Sequence, residues 1–127
     1  MVQAGSDMLF MPSRFEPCGL NQLYGMRYGT VPIARQTGGL ADSVDDATEA
    51  KILSGEATGF TFARYSGGDL LNAVKRAVHT YKDKDRPDLW RKLVINGMRR
   101  DFSWAQSARA YEALMSGMVK SEQKSSS

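Results

Sequence analysis

Residues 7–34, DMLFMPSRFEPCGLNQLYGMRYGTVPIA, decide the fold. The stretch opens on Asp7-Met8-Leu9-Phe10-Met11, a nearly all-apolar run stopped by Pro12-Ser13. Such a run, without alternation, fits a strand covered on both faces, as in a parallel sheet. A polar segment with Pro17 and Gly19 follows. Residues 20–28 then read as a short helix with Leu20, Leu23 and Tyr24 on one face, and Gly29 stands where a left-handed C-terminal stop belongs. Thr30-Val31-Pro32-Ile33-Ala34 reads as the next strand, although Pro32 has no N–H for a central ladder. Strand, helix, strand with short joints make a βαβ unit.

Outward from this unit, Thr37-Gly38-Gly39 predicts a tight loop, residues 41–58 a polar and acidic surface excursion, and Thr58-Gly59-Phe60-Thr61-Phe62 a last short strand. The second half is helical. Asp69 caps a helix whose Leu70, Val74, Val78 and Tyr81 share a face. Pro87 suits the first turn of another, with Trp90, Leu93, Val94 and Met98 facing inward. Ser103-Trp104-Ala105-Gln106 is a capping box opening a third, with Trp104, Ala108, Tyr111, Met115 and Met118 at helical spacing. Residues 119–127 are expected to be a disordered tail. Two clear strands and one weaker one fall short of the roughly five or six of a doubly wound sheet. The expected class is therefore α/β, with residues 1–118 forming the C-terminal part of a larger Rossmann-like domain followed by helices.

Composition narrows the chemistry. The chain has 127 residues, 42% of them apolar and 24% charged, as in ordinary globular proteins and unlike disordered ones. Its longest apolar run, residues 8–12, is far too short to cross a bilayer, and no basic leader precedes an apolar block. Cys18 is the sole cysteine, which leaves no internal disulfide, no cysteine-based metal site and a reducing compartment as the natural setting. The net charge is +3, the basic excess lying in the second half, where solvated helix faces account for it. No basic cluster interleaved with aromatic residues points to nucleic acid, though a weak attraction to anions follows from the charge.

The chemistry concentrates in residues 13–21, between the end of a strand and the start of a helix. In open α/β sheets ligands bind beyond the carboxyl ends of the strands. A helix N-terminus offers unpaired N–H groups and partial positive charge to a phosphate, and Gly19 lets the backbone approach a ligand closely. A carboxylate just upstream, Glu16, can accept hydrogen bonds from adjacent sugar hydroxyls. The set suits a sugar joined to a diphosphate. By residue chemistry alone, however, a Glu-Pro-Cys-Gly turn more often simply starts a helix.

The string Pro12-Ser13-Arg14-Phe15-Glu16-Pro17-Cys18-Gly19-Leu20-Asn21-Gln22-Leu23-Tyr24 resembles the signature of bacterial glycogen synthases and plant starch synthases. Tyr28-Gly29-Thr30-Val31-Pro32, Thr37-Gly38-Gly39-Leu40-Ala41-Asp42-Ser43-Val44, Ala57-Thr58-Gly59-Phe60 and Asp101-Phe102-Ser103-Trp104 continue the resemblance in the same order. It implies a GT-B glycosyltransferase: two Rossmann-like domains facing across a cleft, the C-terminal one binding the nucleotide sugar. The reaction implied transfers glucose from ADP-glucose to the non-reducing end of an α-1,4-glucan, glycogen or starch, with retention and with neither metal nor cofactor. By the same resemblance Glu16 is the catalytic-site carboxylate that binds the sugar, Cys18, Gly19, Leu20 and Asn21 hold sugar and diphosphate through main-chain amides, and Thr37, Gly38 and Gly39 line the same cleft. Where many retaining transferases place a second glutamate that grips the ribose, this sequence has Tyr24, so no ribose contact is assigned there.

The resemblance also implies that the phosphate-clamping Arg and Lys, the nucleobase contacts and the acceptor domain lie upstream of Met1. The expectation is thus a C-terminal portion, inactive alone, whose packing partner is the N-terminal GT-B domain, and a setting in bacterial cytoplasm or plastid stroma. Two alternatives remain open: a retaining GT-B transferase using a UDP-sugar, and a non-catalytic nucleotide-binding or interaction module. Other residues read more plainly. Cys18 is a small loop residue rather than a nucleophile, His79 lies on a helix surface, and Trp90 and Trp104 belong to the core. Arg14 can reach a phosphate or pair with Asp7 or a neighbouring loop.

Overall fold

The computed structural model describes residues 5–12, 14, 21–100, 108–109 and 111–117. Along the chain these form β1 (Met8–Met11), α1 (Asn21–Arg27), β2 (Val31–Arg35), α2 (Gly38–Ser43), α3 (Glu49–Ser54), β3 (Phe60–Phe62), α4 (Gly67–Lys82) and α5 (Pro87–Arg99). The strands make one sheet in the order β1-β2-β3, every pair parallel. Met8 is opposite Val31, and Ile33 opposite Phe60. Parallel neighbours require a crossover, which α1 provides before β2 and α2 with α3 before β3.

The pleat of β2 sorts the core. Val31 and Ile33 join Phe60, Phe62, Ala73, Ala77, Leu89 and Leu93 in the larger apolar cluster, under α4 and α5. Ala34 joins Met11, Leu40 and Val44 in a smaller one, with Leu9 against it. β2 is thus the central strand despite Pro32. Its ring and carbonyl face Gly59, the residue just before β3 begins, where no ladder donor is called for.

Several sequence expectations change in packing. β1 is not covered on both faces: Phe10 is 53% exposed. α1 buries Gln22, Gly25 and Met26 rather than Leu23 and Tyr24, and Tyr24 is exposed. Glycine sets that orientation. Gly97 of α5, where a Cβ would stand 3.3 Å from Met26, leaves room for that side chain, and Gly25 packs on Leu9. Gly29 terminates α1 at φ 85, with Gly29 N–H donating to the Met26 carbonyl and Thr30 N–H to the Gly25 carbonyl, as the sequence led us to expect.

Thr37-Gly38-Gly39 is not simply a loop, because both glycines open α2. Residues 41–58 are not a surface excursion either. Val44, Ala47, Ile52 and Ala57 are buried, α3 is capped by the Thr48 hydroxyl and ends at left-handed Gly55, and Asp46 bridges to Gly59. The cap of α4 is the Ser66 hydroxyl, which accepts from Asp69 N–H; Asp69 instead sits in the first turn and accepts from Arg64. Ala73 and Ala77 form the deepest stripe of α4, with Leu70, Val74 and Val78 at its half-buried margin and Tyr81 exposed.

α5 begins at Pro87 and buries Leu89, Leu93 and Gly97, with Trp90 and Val94 half-buried and Met98 exposed. Trp90 meets the Tyr81 ring edge-on at 5.0 Å. Residues 108–109 and 111–117 are helical, with Tyr111, Leu114 and Met115 exposed. Ser103, Trp104, Met118 and the tail 119–127 lie outside the described residues. Among the described residues no helix is long and apolar enough to cross a membrane.

Candidate functional site

All three parallel strands end on the same side of the sheet, the side where open α/β folds take ligands. Pro12 and Arg14 follow β1, Gln36, Thr37 and Gly38 follow β2, and Tyr65 and Ser66 follow β3. A cavity of about 330 Å³ opens there between Pro12, Phe62, Tyr65, Ser66 and Leu70.

The turn after β2 is held on both sides. Gln36 N–H donates to the Phe62 carbonyl, and the Gln36 amide donates to the Thr61 hydroxyl at 3.1 Å. Thr37 N–H donates to the Arg35 carbonyl, and Thr37 is the N-cap of α2 in extended conformation. Its hydroxyl makes no cap bond, and Gly38 is exposed at φ 47. A hydroxyl that makes no cap bond, beside a bare backbone, suits recognition of a polar ligand.

Of the site residues expected from sequence, the structure brings Thr37, Gly38 and Gly39 to this edge, at the start of α2. Asn21 is the exposed first residue of α1, and its neighbour Gln22 donates to the Ser43 hydroxyl of α2 at 3.0 Å in a buried bond that ties the two helices. Glu16, Cys18, Gly19 and Leu20 lie outside the described residues. Among the described residues no group of three or more His, Cys, Asp or Glu could hold a metal ion.

The structure adds Arg35 and Tyr65. The Arg35 guanidinium donates from Nη1 to the Arg14 carbonyl at 2.6 Å and lies 5.5 Å from the Tyr65 ring centre. The Arg14 guanidinium lies 5.9 Å from the same centre. Arg14 is therefore part of a cationic cluster at the ligand side of the sheet. Asp7 instead accepts from the Tyr81 hydroxyl at 3.2 Å, and its carboxylate pushes that phenol above its ordinary pKa. The sequence signal for Arg35 and Tyr65 was their position at and just beyond strand carboxyl ends.

No family model matches the chain. Glycogen synthase 2 of Nitrosococcus oceani is 53% identical over 121 residues, which are 95% of this chain and 24% of that protein. A glycogen synthase of Koribacter versatilis is 52% identical over 87% of this chain and 22% of its own length. Among solved structures, the catalytic domain of starch synthase IV from Arabidopsis thaliana, bound to ADP and acarbose, superposes with a TM-score of 0.73 at 46% identity, covering 91% of this chain and 23% of that one. A sucrose-phosphate synthase from Thermosynechococcus elongatus gives 0.62 at 28% identity, over 91% of this chain and 27% of its own. The chain spans about a quarter of the length of the curated relatives it matches. It is similar over nearly its whole length to one stretch of glycogen and starch synthases, and its parallel α/β fold matches the C-terminal Rossmann-like part of a GT-B glycosyltransferase.

Proposed function

We propose that this chain supplies part of the nucleotide-sugar site of a glycogen or starch synthase, transferring glucose from ADP-glucose to the non-reducing end of an α-1,4-glucan with retention of configuration. The observation that carries the reading is the 46% identity, at a TM-score of 0.73, to a starch synthase domain bound to ADP. The ligand-side strand ends support it, with the turn from Thr37 to Gly39 and two guanidinium groups beside the Tyr65 ring.

In this reading Glu16 accepts hydrogen bonds from the glucosyl hydroxyls, and main-chain amides around Cys18, Gly19, Leu20 and Asn21 hold the sugar and diphosphate. Thr37, Gly38 and Gly39 line the same cleft. As the glycosidic bond breaks, negative charge grows on the leaving diphosphate and positive charge on the ring. Preset N–H donors stabilise the leaving group without reorganising, each contributing about 3 kcal/mol. The rest of the site, including the acceptor-binding part, comes from a partner domain of the GT-B type, and residues 1–118 form this chain's share of the donor domain. The setting is the bacterial cytoplasm.

The test replaces the matched segment of Nitrosococcus oceani glycogen synthase 2 with this chain and follows glucose incorporation into glycogen. The chimera is expected to be active, to prefer ADP-glucose in competition with UDP-glucose, and to lose at least about a hundredfold in kcat with Glu16→Ala. The chain alone is expected to be inactive. A folded but inactive chimera, or one indifferent to Glu16→Ala, overturns the proposal.

A further inference from the structure

The ends of the three strands are far apart in sequence yet meet at one aromatic ring. Arg14 follows β1, Arg35 closes β2 and Tyr65 follows β3. Arg35 reaches across the β1–β2 seam to the Arg14 main-chain carbonyl, beyond the end of β1. A guanidinium on a carbonyl is a charge-assisted bond, and its flat face is left free to stack on a phenol. Both guanidinium groups are within 6 Å of the Tyr65 ring centre, at the distance where a ring face attracts a cation. One phenol thus brings together two cations that would otherwise repel each other. On the far side of Arg35, Gln36 is bonded to β3 twice, so the turn carrying Thr37 and Gly38 inherits the same fixed frame.

We infer that Arg35 and Tyr65 are positioning residues: they hold Arg14, beyond the end of β1, against the turn leaving β2 that would line the donor-sugar cleft. The inference rests on the donor-site reading above, but its physical core, the lock itself, can be measured without it. Neither residue needs to touch the substrate. Arg35 acts through the Arg14 carbonyl, and Tyr65 acts through the two guanidinium groups.

Two measurements test this. In the active chimera, Arg35→Ala and Tyr65→Ala should each lower kcat by about ten- to a hundredfold, the loss expected from a misplacement of roughly 1 Å, while KM for ADP-glucose stays within about threefold. Tyr65→Phe keeps the ring face and should retain activity. Arg35→Lys keeps charge and a donor but not the fork or the stack, and should recover only part of the loss. Because both residues act through one cluster, the double variant should fall little further than either single one.

The second measurement is hydrogen–deuterium exchange on the 127-residue chain. Arg35→Ala should speed exchange in peptides covering residues 9–14 and leave those covering α4 and α5 unchanged. Uniformly faster exchange, with kcat untouched, would mean that Arg35 merely stabilises the fold and would overturn the inference. So would additive losses in the double variant. An inactive parent chimera sinks the donor-site reading instead, and the exchange experiment still decides whether the lock exists.

Discussion

Gly59 faces Pro32 at the seam between β2 and β3 with no space for a side chain. A Cβ at position 59 would stand 2.5 Å from the Pro32 carbonyl oxygen, 2.8 Å from its ring and 2.9 Å from Val44. The backbone of Gly59 has no freedom to retreat, because its N–H donates to the Asp45 carbonyl and its own carbonyl accepts from Ala47 N–H. Gly59→Ala should therefore destabilise the chain by about 3 kcal/mol or more, at the upper end of overpacking costs, with urea unfolding showing a lower midpoint. An unchanged midpoint would mean that the seam relaxes.

Gly29 is a different kind of glycine. A Cβ there would meet Val94 at an ordinary 3.4 Å, so space is not the issue; the φ of 85 is. Gly29→Ala should cost about 1 kcal/mol from backbone strain, and Gly29→Asn less, since asparagine tolerates the left-handed region. Thermal unfolding of the two variants side by side checks the order.

Arg76 is the hub between α4 and the segment ahead of β3. Its Nη2 donates to both oxygens of Asp46 and to the Ala47 carbonyl, its Nη1 donates to the Thr61 carbonyl at 3.4 Å, and its guanidinium lies 5.4 Å from the Phe60 ring centre. Asp46 in turn accepts from Thr61 N–H. Arg76→Ala should cost about 2 kcal/mol, the scale of charge-assisted bonds, and Arg76→Lys should restore little because an ammonium cannot reproduce the fork. Chemical denaturation of both variants decides it.

Acid should weaken two exposed pairs in a defined direction. The hydrogen bond from Arg64 holds the Asp69 carboxyl below its ordinary pKa, and the hydrogen bond from Arg86 does the same for Asp88. A carboxyl lowered in the folded state contributes stability above its unfolded value, near pH 4, and loses it as pH falls through the folded value. The variant carrying Asp69→Asn and Asp88→Asn should therefore be slightly less stable than the parent at pH 7, and the two should converge as pH falls through the lowered folded-state values. Urea midpoints measured across that range test the sign.

Much of the frame was legible in the residues. Pro12 and Gly29 mark the ends of β1 and α1, and Pro87 marks the start of α5. What failed to show had physical reasons. α2 and α3 have six residues each, too few for a hydrophobic period, so their buried Leu40, Val44 and Ile52 looked scattered. The face of α1 follows Gly97 of α5, whose contribution is the absence of a side chain against Met26, which apolar spacing cannot register. At the candidate site, Asn21, Thr37, Gly38 and Gly39 were named through the resemblance to glycogen and starch synthases. Arg35 and Tyr65 were not, because their nearness to Arg14 arises only when three parallel strands come into register.

The parallel sheet also dictates how this molecule must assemble. Among the described residues no two paired strands are joined by a hairpin, so none of these pairings can begin from a tight local turn. Each ladder waits for a long stretch of intervening chain to close, an entropic toll levied before any strand contact rewards it. α4 and α5 can form early from neighbouring residues, while the strands are brought together only late in folding, leaving the apolar faces of β2 and β3 open to other chains in the meantime.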